Sequence, residues 1–286
     1  MVPIPLTIIP LTNASADSNS LWRRAILDCI PRGVARLYGR PARLGALIMN
    51  DDTTTEEQFI DFKCPCCGEQ VSFPKSCAGL ARECFSCSEP IIVPDSGGEG
   101  RRIPLPIATA RLSLRKFRGA DWKDLLQLFS DDEFFSAAPF KLDGEERIAR
   151  WLEADAVVKL TTPGVPFILA VQAQEGAKVI GCLSLAFSDA ERLQAILHIV
   201  LHRDFQRRGF GAEAAMGALG FCFKGISLHR VQGFCDSTNV AACRLFEKAG
   251  MRREGEFVRD HKVGDQWANT AAYAILREEF ETAARK

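Results

Sequence analysis

Hydrophobic and polar positions divide the chain into a first part with little periodicity and a second part of alternating strand-like and helix-like runs. From residue 109 onward, period-two alternation predicts strands, and apolar residues at helical spacing predict helices. The predicted strands are residues 110–117, 166–171, 179–187, 193–201, 228–235, 252–259 and 268–276. The predicted helices are residues 121–129, 144–154, 212–224 and 240–249. Residues 109–286 are therefore predicted to form one compact α/β domain, and we find no internal repeat.

The N-terminal part of the chain has a different composition. Residues 1–59 show no sustained pattern, and we predict a poorly ordered extension there. Within it, residues 20–45 carry six arginines against one aspartate, which is also typical of a nucleic-acid arm or a targeting segment. Residues 95–108 are rich in glycine and proline, which predicts a linker.

Charge and hydropathy exclude some classes of protein. The 36 basic residues balance the 36 acidic ones, so no overall charge directs the chain to nucleic acid or to an anionic membrane. No run of about 18 apolar residues occurs, so we expect no membrane association. The chain has 11 cysteines, an odd number, and no secretory signal, which argues against a disulfide framework. We therefore predict a cytoplasmic protein.

Six of the cysteines fall within residues 64–87, and four of these form two C-x2-C pairs separated by 16 residues. Such a turn places two thiolates on one side of a tight loop, and two turns complete a tetrahedron of sulfurs around Zn²⁺. The pattern resembles small zinc ribbons, and we predict one over residues 60–94 with a structural zinc ion and a role in contacting a protein partner or the second domain. The predicted ligands are Cys64, Cys67, Cys84 and Cys87.

A second motif lies between a predicted strand and a predicted helix. Residues 206–211 read Gln-Arg-Arg-Gly-Phe-Gly. Two glycines at such a junction let the backbone approach a phosphate closely, and the free amides of the first helical turn bind an anion together with the helix dipole. Arg207 and Arg208 add positive charge, although a glycine pattern of this kind is also found in ordinary tight loops.

The wider context gives this motif its meaning. The order strand, Gln-Arg-Arg-Gly-Phe-Gly, long helix, strand, Asn239 and then residues 241–251 resembles the GNAT superfamily of acyl-CoA-dependent N-acetyltransferases. Residues 109–115, 228–231 and 247–251 look like the subgroup that acetylates the N-terminal amine of ribosomal proteins. The resemblance covers residues 109 to about 279. It implies a GNAT fold, a mixed and mostly antiparallel twisted sheet flanked by helices, with the small zinc ribbon before it.

The resemblance also implies which residues hold acetyl-CoA. The backbone of one strand would pair with the pantetheine arm, the amides of the loop would hold the pyrophosphate, and Asn239 would contact the cofactor near the thioester. The strand residues are Ile199, Val200 and Leu201. The loop residues are Arg207, Arg208, Gly209, Phe210, Gly211 and Ala212.

Three positions depart from the family pattern. The usual glutamate, serine and tyrosine are replaced by Ile196, Ala242 and Phe246, so the usual acids and bases are apolar. His198 shares the strand and parity of Ile196 and is our candidate catalytic base, although a packed or half-exposed side chain is the more common role for a lone histidine in a strand.

The leading hypothesis is an enzyme that transfers an acetyl group from acetyl-CoA to a primary amine, either a peptide N-terminus or a small amine, by direct attack. The alternative is a catalytically weak acyl-CoA-binding module whose zinc ribbon docks a protein or a nucleic acid. The cofactor loop supports both hypotheses equally, and only the three apolar positions favour the second.

Overall fold

The computed structural model describes residues 58–131, 142, 144–160, 165–187, 193–263 and 265–283. Most of the extension predicted for residues 1–59 lies outside the described residues, and the first strand already begins at Phe59. No helix in the described ranges is long and apolar enough to cross a membrane.

The cysteine-rich region forms two similar hairpins. The strands of the first are β1 (Phe59–Lys63) and β2 (Gln70–Pro74), and those of the second are β3 (Ala81–Glu83) and β4 (Pro90–Ile92). Exposed and buried residues alternate along β1 and β2, so the apolar side chains of both strands point into a small core that also contains Ile91. The two hairpins repeat the same arrangement. The sequence does not reveal this repeat, because the two segments share little besides the spacing of their cysteines.

The segment predicted as a linker contains paired strands. These are β5 (Gly98–Glu99), β6 (Arg101–Arg102) and β7 (Ile107–Ala108). β5 joins β1 in parallel and β6 joins β4 antiparallel, so each hairpin becomes a three-stranded sheet. Glycine and proline are tolerated because the strands are only two residues long and lie at sheet edges.

The remainder of the chain forms the predicted mixed sheet, which confirms the fold class. Its eight strands lie in the order β13-β14-β12-β11-β10-β9-β8-β7, and only β11 and β12 pair in parallel. The strands not yet defined are β8 (Leu112–Arg115), β9 (Phe167–Ala173), β10 (Val179–Phe187), β11 (Gln194–Leu201), β12 (Arg230–Asp236), β13 (Arg252–Val263) and β14 (Gln266–Leu276).

Helices cover both faces of this sheet. They are α1 (Trp122–Phe129), α2 (Glu145–Ala156), α3 (Phe210–Gly220), α4 (Val240–Lys248) and α5 (Arg277–Ala283). α1 and α2 pack on one face, where Ile168 and Val200 point, and we call this the α1/α2 face. α3 and α4 pack on the other face against Leu169 and Leu197. α3 starts two residues earlier than predicted and ends in a π turn over residues 221–225.

The two cysteine-containing hairpins, residues 59–92, are called the ribbon below, and packing joins them to the sheet domain. Ile91 points into the ribbon's own core, whereas its neighbour Ile92 belongs to the large core of the sheet domain. On the surface, Lys159 Nζ lies 2.9 Å from Glu89 Oε1 and donates to the carbonyl of Ser88 at 2.8 Å. Successive residues of a strand point to opposite sides, so a single strand serves both cores.

Candidate active site and cysteine cluster

An opening between the two parallel strands defines the candidate site. β11 and β12 pair only at residues 194–196 and 230–232, after which β12 stays with β14 as far as Asp236. Within the described part of the chain, residues 197–201 therefore have a strand partner, β10, on one side only. This leaves the backbone of an otherwise central strand exposed along a slot.

The strand register determines which peptide groups face the slot. The amide of His202 donates to the carbonyl of Ile180 at 2.9 Å, and the pairing with β10 continues through Val200. Because hydrogen-bonding direction alternates along an antiparallel pair, the peptide groups of Val200 point to β10 and those of Ile199 and Leu201 point to the slot. Ile199 thus directs both its amide and its carbonyl to the slot, whereas Leu201 offers its amide there and its carbonyl accepts from the side chain of Gln206.

The glycine-containing loop closes one end of the slot. The side chain of Gln206 donates to the carbonyl of Leu201 at 3.0 Å, which ties the loop to the end of β11. Arg207 and Gly209 both have left-handed backbones, with φ of +57° and +83°. These conformations turn the chain sharply into α3.

The N-terminus of α3 is free to bind an anion. Gly209 is the N-cap and has no side chain to cap the helix, so the amides of Phe210, Gly211 and Ala212 have no partner within it. A Cβ on Gly211 would lie 2.7 Å from Leu245 Cδ1, so its glycine allows α3 to approach α4. The positive end of the helix dipole and these amides suit a phosphate.

Contacts of Arg111, a residue that the sequence analysis did not assign to the site, hold the N-terminus of α3 in place. Arg111 Nη1 donates to the carbonyl of Arg208 at 3.1 Å, and Arg111 Nε lies 2.7 Å from Glu213 Oε2. Although desolvation acts in the opposite direction, hydrogen bonds from Thr109 and Arg111 hold the pKa of Glu213 below its usual value. The guanidinium of Arg111 also lies 4.3 Å from the ring centre of Phe210. The distance of about 100 residues between Arg111 and Glu213 concealed this contact in the sequence.

The structure gives different roles to Asn239 and Phe246, two positions that the family resemblance singles out. Asn239 is exposed and caps α4, since its Oδ1 accepts from the amide of Ala242 at 3.0 Å. Its amide nitrogen stays free for the predicted cofactor contact. Phe246 is buried against Gly233 and stacks on Tyr273 at 5.4 Å between ring centres. It is therefore a core residue.

His198 lies on the α1/α2 face of β11, opposite Ser184 of β10. It is half-buried, and desolvation lowers the pKa of its imidazole. The ring has no hydrogen-bond partner among the described residues. A neutral imidazole of this kind is chemically able to accept a proton.

Two cysteines near β12 pack together. Cys235 Sγ lies 3.6 Å from Cys243 Sγ, and desolvation raises the pKa of Cys235. Both side chains pack against the large core. This agrees with a structural role for them.

The four predicted zinc ligands converge. Their sulfurs all lie within 4.8 Å of one another, and the pairs Cys64–Cys87 and Cys67–Cys84 are each 3.9 Å apart. Zn–S bonds of about 2.3 Å in a tetrahedron would separate the sulfurs by about 3.8 Å. The donor set and its spacing therefore fit a zinc ion.

The two cysteine turns share one backbone geometry. The amides of Gly68 and Ser88 donate to the carbonyls of Cys64 and Cys84 at 2.9 and 2.8 Å. Gly68 has φ of +79° and Ser88 has φ of +57°. Ser88 thus adopts the left-handed conformation that glycine provides in the first turn.

Comparison with known proteins agrees with this geometry. The model of the acetyltransferase (GNAT) domain family matches residues 111–252. The chain is 30% identical over 174 residues to a Bacillus subtilis protein named uncharacterized N-acetyltransferase YnaD, covering 61% of this chain and 98% of that protein. The chain belongs to the GNAT acetyltransferase family, whose members transfer acetyl groups from acetyl-CoA to amines.

Solved structures show the same fold. A GNAT-family acetyltransferase from Bacillus anthracis has a TM-score of 0.52 at 27% identity, covering 60% of this chain and 98% of that one. The ribosomal L7/L12 α-N-protein acetyltransferase RimL, solved with coenzyme A, has a TM-score of 0.52 at 16% identity, covering 61% and 97%. The eight-stranded domain is therefore an N-acetyltransferase, and the ribbon lies outside the matched region.

Proposed function

We propose that this enzyme acetylates a primary amine, a peptide N-terminus or a small amine, by direct attack on acetyl-CoA bound in the slot between β11 and β12. The observation that carries the proposal is the separation of these strands above a helix start capped by Gly209. The pantetheine arm would pair with the backbone of Ile199, Val200 and Leu201 as an added strand does, chiefly through the peptide groups of Ile199 and the amide of Leu201. The amides from Arg207 to Ala212 would hold the pyrophosphate, and Asn239 would contact the arm near the thioester.

The chemistry requires little beyond placement. A backbone amide of β11 facing the slot can donate to the developing oxyanion, and the two reactants are held together by the protein. His198 is the proposed proton acceptor for the attacking nitrogen, because it lies on the α1/α2 face of β11 where this strand has separated from β12, and its lowered pKa keeps it neutral.

A protein N-terminus is the acceptor suggested by the resemblance of residues 109–115 and 228–231 to the ribosomal-protein subgroup, and a fold neighbour bears that activity in its name. A small amine fits the same chemistry. The apolar side chains of Ala242 and Phe246 favour the alternative of an acyl-CoA-binding module with weak catalysis.

We further propose that Cys64, Cys67, Cys84 and Cys87 bind a structural Zn²⁺. Four cysteine ligands leave no open coordination position, and a unit of this size needs the metal to fold. Zinc bound to thiolates would also suit a reducing compartment, which supports a cytoplasmic location. The ribbon's outer surface would then contact a protein partner.

Single-turnover measurements test the proposal. The full chain loaded with acetyl-CoA is mixed with free-amine peptides and with small amines, and release of free thiol is followed together with the mass of the acceptor. Acetylation that falls about 10²-fold or more in His198→Ala supports the enzyme and its base. Tight acetyl-CoA binding with no thiol release for any acceptor would instead favour the binding module. Metal analysis of the same preparations, with Cys84→Ser as the comparison, tests for one zinc ion per chain.

A further inference from the structure

A histidine held between two aspartates lies on the same side of the sheet as His198. Asp236 ends β12, His261 and its neighbour Asp260 lie in β13, and Thr270 of β14 is the register partner of Asp236. None of these four residues belongs to the cofactor loop or to the family positions discussed above. The cluster must therefore be explained by other contacts.

The hydrogen bonds fix how the imidazole is presented. His261 Nδ1 lies 3.1 Å from Asp260 Oδ1, and Thr270 Oγ1 donates to Asp260 Oδ2 at 3.0 Å. Thr270 Oγ1 also lies 3.2 Å from His261 Nδ1. Because the Asp260 carboxylate can only accept, we assign the ring proton to Nδ1, which donates it to Asp260. Nε2 is then the unprotonated nitrogen. An aspartate that orients a histidine in this way prepares it to accept a proton.

Nε2 of His261 faces the carboxylate of Asp236, of which only one oxygen accepts hydrogen bonds from the described residues. Asp236 Oδ1 accepts from the amide and the hydroxyl of Thr238, at 2.7 and 2.6 Å. Asp236 Oδ2 lies 3.8 Å from His261 Nε2, too far for a direct hydrogen bond. The side chains of Asp236 and His261 are 28% and 22% exposed, so both are in contact with solvent. Two acceptors thus converge, and none of the residues that the structure describes places a donor between them.

The strand register places this pair beside the slot. Ile196 of β11 is paired with Gln232 of β12, so their side chains point to the same face. Side chains alternate along a strand, so His198, two residues after Ile196, and Asp236, four residues after Gln232, also point to that face. The usual base position on this face is Ile196. An amine approaching the slot from this face would meet Asp236 and His261 near the open end.

We propose that Asp236 Oδ2 and His261 Nε2 bind the acceptor amine as its ammonium ion and that His261 takes its first proton. This inference rests on the proposed function and specifies a cationic alkyl amine as the substrate class. Asp260 acts as a positioning residue for the ring. The ammonium ion donates to both acceptors, which explains why their neighbours leave them free.

The proton balance requires two acceptors. The ammonium ion first loses a proton to His261, which passes it to solvent. The nitrogen lone pair then forms the bond to the thioester carbon, and the carbon–sulfur bond breaks with its electron pair going to sulfur. The second amine proton passes to His198 and from there to solvent, and the leaving thiolate takes up a proton from solvent to become the coenzyme A thiol.

The chain contains four histidines, which allows a matched test. Thiol release from acetyl-CoA is measured with spermidine and with a hexapeptide bearing a free N-terminus, for the wild type and for His261→Ala, Asp236→Asn and Asp260→Asn. His229→Ala is the control, because His229 is exposed at the opposite end of β12. We expect kcat/KM to fall by about 10²–10⁴-fold in His261→Ala, with acetyl-CoA affinity unchanged and partial rescue by added imidazole.

Asp236→Asn should mainly raise KM for the amine, since it removes the charge that attracts the ammonium ion. A loss below about threefold in His261→Ala, or an equal loss in His229→Ala, overturns the inference and leaves the proposed function intact. So does a loss of rate in His261→Ala that imidazole does not rescue and that a lower melting temperature accompanies. Absence of transfer by the wild type to every amine, despite acetyl-CoA binding, overturns the proposed function itself.

Discussion

Two adjacent isoleucines of the ribbon should have separable effects when each is truncated. Ile91 and Ile92 are both almost completely buried, at 0% and 1% exposure, but Ile91 belongs to the ribbon's core and Ile92 to the core of the acetyltransferase domain. Ile92→Ala removes three carbons from a well-packed site, which costs about 2–5 kcal/mol. The cost should fall on the domain that binds acetyl-CoA.

Thermal unfolding of the full chain measures this effect. At about 2–4 °C per kcal/mol for a domain of this size, Ile92→Ala should lower the Tm by between about 4 and 20 °C. The affected transition should be the one that acetyl-CoA raises, because a ligand stabilises only the domain that binds it. Zinc content should remain that of the wild type.

Ile91→Ala is the matched control. It should speed the release of zinc to a chelator, because the hydrophobic core of the ribbon is small and its folding is coupled to metal binding. If Ile92→Ala leaves the acetyl-CoA-dependent transition within about 1 °C of the wild type, the two units do not share a core and the packing described for β4 is wrong.

Four smaller changes test other parts of the site and the fold. Gly209→Ala forces a side chain into the left-handed region at a cost of about 1–2 kcal/mol and should weaken acetyl-CoA binding in calorimetry. Ser88→Gly relieves the same strain in the second cysteine turn and should slow zinc loss to a chelator. Asp121→Asn leaves the buried Arg115 without its bidentate partner and should cost about 3–5 kcal/mol in urea unfolding. Glu213 has a lowered pKa, so the stability it adds is present at neutral pH and disappears as pH falls through that pKa. When Tm is measured against pH, Glu213→Gln should therefore show a smaller decrease of Tm at acidic pH than the wild type.

Local sequence patterns were sufficient to predict most strands and helices of the acetyltransferase domain. Alternation placed β10 at residues 179–187, its observed bounds, and Asn239 before an apolar helical run placed α4 within one residue. The loop of Gly209 was also recognisable, because a sharp left-handed turn between a strand and a helix favours glycine. These features depend on residues within about ten positions of one another.

Contacts between distant residues could not be predicted in the same way. The linker composition of residues 95–108 concealed strands of two residues, since their pairing with β1 and β4 is made by backbone groups that leave no side-chain pattern. The pairing of Arg111 with Glu213 spans 102 positions.

The sequence by itself determined the chemical classes: four cysteines at zinc-ribbon spacing, a phosphate-type loop before a helix, and apolar residues at three positions where acids or bases are usual. Tertiary structure alone decided that Ile92 joins the ribbon to the acetyltransferase core and that His261 lies between Asp236 and Asp260. The physical reason is that side-chain chemistry is written in each residue, whereas the distance between two side chains depends on strand register and packing across the whole sheet.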